Sequence, residues 1–134
     1  MKKIYLNWAG IESYIDTLAY KIAASGKQVT VIHGLSRGGL IPAVLLSHKL
    51  GIPYVNDWPI LKHLYDPKTT LIVDDICDSG KTLKPYTDYI TVTLHHKTTA
   101  IVEPTFWVKT VEENEWTCYP WEDKESQTIQ DYKL

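Results

Sequence analysis

Three carboxylates and a turn of small residues follow one apolar segment of this 134-residue chain. Leu71-Ile72-Val73 runs directly into Asp74 and Asp75, and Asp78-Ser79-Gly80-Lys81-Thr82 comes next. Paired carboxylates at the end of a strand can accept hydrogen bonds from vicinal hydroxyls or hold a hydrated Mg²⁺. Successive backbone amides among small side chains suit an anion instead. The stretch therefore predicts a ligand in which a sugar diol lies close to a phosphate.

The Gly80-Lys81-Thr82 sequence does not complete a nucleotide-triphosphate P-loop. That motif, GxxxxGK[ST], requires a glycine five residues before Gly80, where this chain has Asp75. A structural role is the alternative, because Asp-Asp pairs and Asx-Ser-Gly turns commonly cap helices or solubilise loops. The β-branched run before the acids and the Gly-Lys-Thr sequence after them favour a binding site.

A second glycine-rich segment also follows a short apolar run. Residues 29–32 are mostly β-branched and predict a buried strand, and Gly34-Leu35-Ser36-Arg37-Gly38-Gly39 predicts a turn after it. Residues 40–50 are largely apolar, with Pro42 near the start and Gly51 at the end, which predicts a helix. Strand, turn and helix thus occur in order.

The other segments alternate between helix and strand signals. Apolar residues recur at helical spacing over residues 11–22, with Asn7 as N-cap and Gly26 as stop. Short strands are predicted at residues 3–6, 52–55, 71–73, 99–102 and 106–108. This alternation predicts an α/β fold with a mainly parallel twisted sheet flanked by helices, and ligands bind such sheets at the carboxyl ends of the strands.

Two connections complete the prediction. Thr82 is expected to cap a helix that has Pro85 in its first turn, so that the loop amides lie at a helix N-terminus. Residues 56–70 are expected to form a loop with one helical turn at residues 60–65.

Composition limits the class of protein. The 44% of hydrophobic residues fit one domain, expected at residues 1–122, and the polar tail, 123–134, is expected to be partly disordered. A net charge of -2 without basic clusters argues against nucleic acid as a partner. No apolar run approaches the ~18 residues of a membrane span. Cys77 and Cys118 have no zinc or disulfide spacing, which suits a reducing cytoplasm.

Three segments together resemble one enzyme family. Residues 72–82 resemble the phosphoribosyl-pyrophosphate signature of the type I phosphoribosyltransferases, in which apolar residues lead into two acids and an acid-[Ser/Thr]-Gly-x-Thr loop. Residues 35–42 resemble the loop that binds the pyrophosphate end of this substrate in purine members. Residues 115–121 are similar to the C-terminal hood segment of xanthine-guanine and hypoxanthine enzymes. The resemblance implies the type I phosphoribosyltransferase fold.

The resemblance implies roles for the matching residues in binding phosphoribosyl pyrophosphate. Asp74 and Asp75 would hold the ribose hydroxyls, with Mg²⁺ bound nearby. The loop formed by Asp78, Ser79, Gly80, Lys81 and Thr82 would hold the 5′-phosphate. Ser36, Arg37 and Gly38 would contact pyrophosphate, with unusual peptide geometry at Ser36-Arg37, and Arg37 would neutralise the departing charge. An ordinary surface charge is the alternative for Arg37.

The resemblance also implies a purine site. Asp78 would face N7 of the base and assist proton movement, Trp116 would cover the base, and the backbone at Thr117 would read its edge. A core position is the alternative for Trp116. Family members that use 6-oxopurines have a lysine at the end of a late strand that donates to O6. The matching residue here is expected to be Glu103, which cannot donate and would favour an aminopurine, unless Lys109 substitutes.

The segment at residues 56–70 is a second departure, because family enzymes close a long mobile loop here over the reaction. The expectation is that a reduced lid forms from Asp57, Trp58, Lys62, His63 and Tyr65; otherwise a neighbouring subunit must exclude water.

The leading hypothesis is an Mg²⁺-dependent purine phosphoribosyltransferase of the cytoplasm that converts a nucleobase into its 5′-monophosphate. The alternative is a catalytically weak protein that binds phosphoribosyl pyrophosphate as a regulator. The lack of a basic surface argues against a transcriptional regulator, and an unrelated phosphate-binding module would require both loops to coincide by chance. The five tryptophans and nine tyrosines suggest a subunit interface, and the resemblance implies a homodimer or homotetramer.

Overall fold

The structure of the protein is a computed structural model that describes residues 2–123. Its strands are β1 (Lys2–Tyr5), β2 (Val31–Gly34), β3 (Thr70–Cys77), β4 (Ile90–Lys97), β5 (Phe106–Val111) and β6 (Glu115–Cys118). Its α-helices are α1 (Trp8–Ala24), α2 (Ser36–Leu50) and α3 (Trp58–Leu64). A parallel sheet has the strand order β2-β3-β4-β5, and β1 pairs with β6 in a separate parallel pair. The predicted α/β fold with a mainly parallel sheet is confirmed.

Helix α1 forms where the spacing of apolar residues predicts it. The Asn7 side chain accepts a hydrogen bond from the Gly10 backbone N–H at 2.8 Å, and this N-cap satisfies one of the donors at the start of the helix. The buried face consists of Ile11, Ile15, Leu18, Ala19 and Ile22. Gly26 follows the C-cap with a φ of 75°, a conformation that glycine adopts without a steric cost.

Two apolar clusters surround the four-stranded sheet. The larger cluster packs α1 and α2 on the sheet through side chains such as Leu18, Leu46 and Val73. The smaller cluster contains Leu35, Ile72, Cys77 and Leu83, with Trp58, Tyr86 and Tyr89 packed against it. The sheet is therefore covered by α1 and α2 in one cluster and by α3 and the segment after β3 in the other.

Helix α2 begins earlier than its sequence suggests. It starts at Ser36, so the glycines at 38 and 39 belong to its first turn, and Pro42 lies inside the helix rather than near its start. A Cβ atom added at Gly38 would lie 2.7 Å from Asp75 Cγ, and one added at Gly39 would overlap the Val73 carbonyl oxygen. The two glycines therefore allow close packing of a helix on β3, although in the sequence they are typical of a turn.

Two predicted strands are shifted or shortened. Strand β2 runs from Val31 to Gly34, two residues later than predicted, because its ladder with β3 continues to the pair of Gly34 with Val73. The strand predicted at residues 52–55 is reduced to one bridge between Tyr54 and Ile32. Helix α3 is longer than the single turn predicted at residues 60–65.

The segment after β3 differs most from the prediction. Strand β3 continues through Asp74 and Asp75 to Cys77, so the acids lie within the strand. The helix predicted after Thr82 is replaced by turns and a short 3₁₀ helix, Lys84–Tyr86, followed by β4. Leu83, Tyr86 and Tyr89 pack in the smaller cluster, and this packing fixes the segment in a tighter turn than an α-helix allows.

Strand β4 is the element that the prediction missed. Every residue from Ile90 to Lys97 except His96 is buried, but five of the eight residues are polar, so the segment lacks the continuous apolar run that is typical of a fully buried strand. The strand predicted at residues 99–102 is wrong, because residues 98–105 connect β4 to β5, whereas β5 confirms the strand predicted at residues 106–108.

None of the helices within residues 2–123 is long and apolar enough to cross a bilayer. Cys77 and Cys118 are both free. The part of the predicted polar tail after Asp123 lies outside the described residues.

Candidate functional site

The two loops that the sequence singles out meet where α2 packs on β3. Gly38 of α2 lies directly against the carboxylate of Asp75, and the Leu35 backbone N–H donates to the Val73 carbonyl at 2.8 Å. A Cβ atom at Gly34 would lie 2.7 Å from the Gly39 carbonyl oxygen, so this packing also requires glycine at the end of β2. The predicted pyrophosphate segment and the predicted ribose-binding acids are therefore neighbours.

The N-terminus of α2 can receive an anion. Its N-cap residue, Leu35, supplies no side-chain acceptor for the first backbone N–H groups of the helix. Ser36 and Arg37 are both exposed there, and Ser36 has a φ of 45°, a left-handed conformation that is unusual for serine. Unusual geometry is expected from the sequence at the Ser36-Arg37 peptide; the described residues contain no cis peptide bond, and the unusual feature here is the φ of Ser36. Amide donors, the helix dipole and the Arg37 guanidinium all favour a negatively charged group.

The two acids of β3 differ in their surroundings. Asp74 is 2% exposed, and its carboxylate accepts the Asp75 backbone N–H at 2.9 Å. Burial, Tyr89 and the Asp74 charge raise the pKa of Tyr86. Asp75 is partly exposed, accepts the Ile76 backbone N–H at 2.8 Å and faces Gly38. Asp75 is therefore the more accessible acceptor for a ligand hydroxyl.

The predicted phosphate loop is a tight turn after β3. Gly80 has a φ of 89°, and a Cβ atom there would lie 2.9 Å from the Val102 backbone nitrogen, so the position requires glycine for both reasons. The Ser79 carbonyl accepts the Ile101 backbone N–H at 2.8 Å, and the Ser79 hydroxyl accepts the Lys81 backbone N–H at 3.2 Å. The prediction of a helix N-terminus at this loop is wrong, so an anion bound here would be held by the amides of the turn.

A metal ion at this site would depend on the substrate for part of its coordination. Within residues 2–123, no group of three or more His, Cys, Asp or Glu side chains is placed to hold a metal. Mg²⁺ is commonly bound by one or two carboxylates together with substrate oxygens and water. Asp75 is a partly exposed hard oxygen ligand beside the predicted pyrophosphate segment, whereas Asp74 is 2% exposed, so one carboxylate of the pair fits Mg²⁺ carried by a diphosphate ligand.

Lys97, at the end of β4, is the site residue that the sequence analysis did not identify. Its ammonium lies 3.2 Å from the Asp78 carboxylate and donates to the Glu113 carbonyl at 3.2 Å. It also lies 5.6 Å from the centroid of the Trp116 ring, within the range of a cation–π contact. The side chains of Lys97 and Asp78 are only 4% and 14% exposed. We call Asp78, Lys97 and Trp116 the base cluster.

The overall fold is similar to that of a solved structure. No family model matches the chain. The crystal structure of a purine phosphoribosyltransferase from Pyrococcus horikoshii Ot3 superposes with a TM-score of 0.74 and is 32% identical, covering 97% of this chain and 99% of that one. This chain belongs to the purine phosphoribosyltransferase family.

Two curated members of related name support the family assignment. A xanthine-guanine phosphoribosyltransferase from Cereibacter sphaeroides is 26% identical over 98% of this chain and 93% of its own length. A xanthine-guanine phosphoribosyltransferase from Vibrio parahaemolyticus is 34% identical over 62% of each chain. The type I phosphoribosyltransferase fold expected from the sequence motifs is therefore confirmed.

Within this family framework, the placement expected for Glu103 is wrong. Glu103 is exposed in the connection between β4 and β5, where it lines a hollow of about 330 Å³ with Thr91 and Thr105, toward the start of β4. The strand that ends at the site is β4, and Lys97 occupies that end. The expectation fails because the late strand is β4, whereas the sequence pattern predicts a strand at residues 99–102, just before Glu103. Lys109 is exposed on β5, and no substitution by it is needed.

The hood of this phosphoribosyltransferase is the pairing of β6 with β1. Trp116 pairs with Lys3 and Thr117 with Ile4, so the two residues expected at the base lie in a strand rather than in a loop. Thr117 is 6% exposed, whereas Trp116 is half-buried and has its ring beside Lys97. Of the residues expected at the base, Trp116 and Asp78 both lie near Lys97, and Glu103 lies elsewhere.

The segment expected to form a reduced lid is packed on the fold. Asp57 caps α3 by accepting the Ile60 backbone N–H at 3.1 Å, and Leu61 is fully buried. The Trp58 ring lies 5.3 Å from that of Tyr86 and 5.6 Å from that of Tyr89, measured between centroids. Asp57 and Trp58 therefore have structural roles. The other predicted lid residues are two exposed ones, Lys62 and His63, and the partly exposed Tyr65.

Proposed function

We propose that the protein transfers the 5-phosphoribosyl group of phosphoribosyl pyrophosphate to a ring nitrogen of a 6-oxopurine, giving a nucleoside 5′-monophosphate and pyrophosphate. Purine phosphoribosyl transfer is the activity of the family, and the base cluster supports the choice of purine. The observation that carries the proposal is the position of Lys97, between Asp78 and Trp116 at the end of β4. The family resemblance implies a lysine at this strand end in members that use 6-oxopurines.

Lys97 has the hydrogen-bonding capacity that O6 requires. An ammonium group has three N–H donors, and two of those of Lys97 have acceptors at 3.2 Å in Asp78 and Glu113. The third can donate to a carbonyl oxygen of a base beneath Trp116. Adenine would present an amino group there, and two opposed donors leave one buried donor unsatisfied, at a cost of about 1–3 kcal/mol. We therefore expect hypoxanthine or guanine to be preferred over adenine.

The chain would act mainly by positioning the reactants. The acids of β3 would accept hydrogen bonds from the ribose hydroxyls, the turn at residues 79–82 would hold the 5′-phosphate, and the N-terminus of α2 with Arg37 would receive pyrophosphate. Bound Mg²⁺ would supply charge neutralisation at the pyrophosphate. The base nitrogen displaces pyrophosphate at C1 with inversion, so donor and base must be held in line. Asp78 would accept or return the proton at N7, and its carboxylate lies 3.2 Å from the Lys97 ammonium.

A protein that binds phosphoribosyl pyrophosphate with weak turnover is the second candidate. The packing of Trp58 against Tyr86 and Tyr89 favours this second candidate. Residues 56–70 are the segment expected to exclude water, and these ring contacts hold the segment against the fold at Trp58. Attack of water at C1, which would give ribose 5-phosphate and pyrophosphate, would then compete with transfer to the base.

Pyrophosphate release with a panel of bases separates the two candidates. The protein would be incubated with phosphoribosyl pyrophosphate, Mg²⁺ and, in turn, hypoxanthine, guanine, xanthine and adenine. Turnover of 6-oxopurines above adenine supports the proposal. Saturable binding of phosphoribosyl pyrophosphate, measured by calorimetry, without turnover of any base supports the regulator. Preference for adenine would exclude the role given to Lys97.

Self-association and compartment are also proposals. Tyr5, Trp8 and Tyr20 are 61%, 52% and 75% exposed, and large exposed aromatic side chains are enriched at protein interfaces. We expect a homodimer or homotetramer, which light scattering on the full chain would reveal. Two free cysteines are compatible with the reducing cytoplasm.

A further inference from the structure

A series of buried and part-buried hydrogen bonds leads from α1 to the main chain of Asp75. The Tyr119 hydroxyl donates to the Asp75 carbonyl oxygen at 3.2 Å. His95 Nδ1 lies 2.8 Å from the Tyr119 hydroxyl oxygen, and His95 Nε2 lies 3.2 Å from the Tyr14 hydroxyl. Tyr119 and His95 are 4% and 3% exposed. The three side chains come from three different elements and converge on a residue of the proposed ribose site.

The bond from Tyr119 to the Asp75 carbonyl indicates which group donates in each of the other two hydrogen bonds. Because the Tyr119 proton is used toward Asp75, the Tyr119 oxygen must accept, and His95 Nδ1 must carry the proton that it accepts. Nε2 of a neutral imidazole is then the acceptor for Tyr14. Burial lowers the pKa of His95 to about 4, with a further contribution from Lys109, so the neutral form is the one present near pH 7. Every donor in the chain has one acceptor.

The series of hydrogen bonds reaches β3 at a level where β3 is no longer paired with β2. The ladder between β2 and β3 ends at the pair of Gly34 with Val73, so β2 does not extend beside Asp75. This opening is what allows α2 to approach with Gly38 against the Asp75 carboxylate. The Tyr119 hydroxyl supplies a donor to the main chain of Asp75 at this level. It therefore restrains a residue that the sheet leaves less restrained than those before it.

Tyr119 is itself held firmly. Its ring stacks on Trp121 with 4.9 Å between centroids and 2° between planes, and its backbone N–H donates to the Glu122 carboxylate at 2.7 Å. It also follows β6 directly, so it links the strand that carries Trp116 to the acid of β3. A displacement of β6 would therefore move the Tyr119 hydroxyl, which is bonded to the Asp75 carbonyl.

We propose that Tyr119 and His95 are positioning residues that fix the Asp75 main chain, and so hold its carboxylate beside the N-terminus of α2 for the ribose hydroxyls. This inference rests on the proposed function, because it assumes that Asp75 contacts phosphoribosyl pyrophosphate. It assigns no contact with substrate to either residue. The effect is expected in the affinity for this substrate rather than in the chemical step.

Tyr119→Phe is the direct test, because it removes the hydroxyl and keeps the stacked ring. The dissociation constant of phosphoribosyl pyrophosphate with Mg²⁺, measured by calorimetry, and its KM are expected to rise about tenfold, while kcat changes by less than about threefold. The matched control is Tyr54→Phe, which removes a hydroxyl bonded to Asn56 and is expected to bind as the wild type does. Thermal unfolding of both variants separates a loss of stability from a loss of affinity.

A pair of His95 variants covers the case in which Tyr119→Phe does not fold. His95→Asn retains an N–H donor near the position of Nδ1 and is expected to bind phosphoribosyl pyrophosphate within about threefold of the wild type, whereas His95→Leu lacks it and is expected to bind about tenfold more weakly. A folded Tyr119→Phe with wild-type affinity, or equal affinities of the two His95 variants, overturns the inference alone. Failure of the wild type to bind phosphoribosyl pyrophosphate overturns the proposed function and the inference with it.

Discussion

The Lys97 ammonium lies 3.2 Å from the Asp78 carboxylate, and this ion pair joins the end of β4 to the first residue of the phosphate loop. Both side chains are largely buried, so the pair is shielded from water and from salt. It brings together a donor suited to O6 and an acceptor suited to a proton at N7, and the Lys97 ammonium lies 5.6 Å from the centroid of the Trp116 ring. Base selection and proton transfer are therefore expected to depend on the same two residues.

Lys97→Met tests the proposed hydrogen bond from Lys97 to O6 of the base. Loss of the ion pair with Asp78 affects both bases, and loss of the donor to O6 is expected to lower kcat/KM for hypoxanthine by about 10–100-fold more than for adenine, as expected for a buried hydrogen bond worth about 1–3 kcal/mol. Lys109→Met is the control, because this lysine is exposed on β5 and lies outside the base cluster. Steady-state rates with both bases give the comparison. An equal loss for the two bases would remove the role in base selection.

Asp78→Asn tests the proton transfer. The amide keeps the shape of the side chain but cannot accept a proton, so kcat is expected to fall by about 10²–10⁴-fold. The dissociation constant of phosphoribosyl pyrophosphate should change little, because the turn amides still hold its 5′-phosphate. Asp88→Asn, an exposed acid in the same connection between strands, is the control. If affinity and turnover fall together, Asp78 acts in binding and not in proton transfer.

The sequence was sufficient for the parts of the fold that depend on local pattern. Helix α1 follows from apolar spacing and the Asn7 cap, and the end of α2 follows from Gly51, whose φ is 66°. The two ligand loops could be found because small residues and acids directly after a β-branched run are uncommon in ordinary turns. Each of these features depends on residues only a few positions apart, so a local sequence pattern is enough to predict it.

The parts that failed depend on contacts between distant segments. Nothing near Gly38 and Gly39 reveals that they pack on β3, so they read as a turn. The polar residues of β4 are satisfied by partners far along the chain, as in the bond between His95 and Tyr119, and the strand was therefore overlooked. Lys97 was missed with it. The alternation of Ile90, Val92 and Leu94 was the available signal for this strand.

Gly38→Ala tests the contact between α2 and β3. The added methyl group would overlap the Asp75 carboxylate, and relief requires the helix or the acid to move. We expect a loss of about 1–3 kcal/mol in the free energy of unfolding together with weaker binding of phosphoribosyl pyrophosphate. Gly51→Ala is the control. Alanine at the positive φ of position 51 is expected to destabilise the end of α2, and this position lies away from the site. Urea unfolding and calorimetry measure the two effects, and unchanged ligand affinity in a destabilised Gly38→Ala would contradict the prediction.

The buried His95 predicts a pH dependence of stability. Burial, helped by Lys109, lowers its pKa in the folded protein from 6.5 to about 4. Between these values the unfolded chain binds more protons than the folded one, so the free energy of unfolding falls as the pH drops from about 6.5 toward 4. The full span corresponds to about 3 kcal/mol, at 1.36 kcal/mol per pKa unit. His95→Asn is expected to remove this slope from urea unfolding curves recorded between pH 4 and pH 7, whereas His48→Asn, an exposed control on α2, should retain it. The same slope in His95→Asn as in the wild type would mean that other groups cause the acid sensitivity.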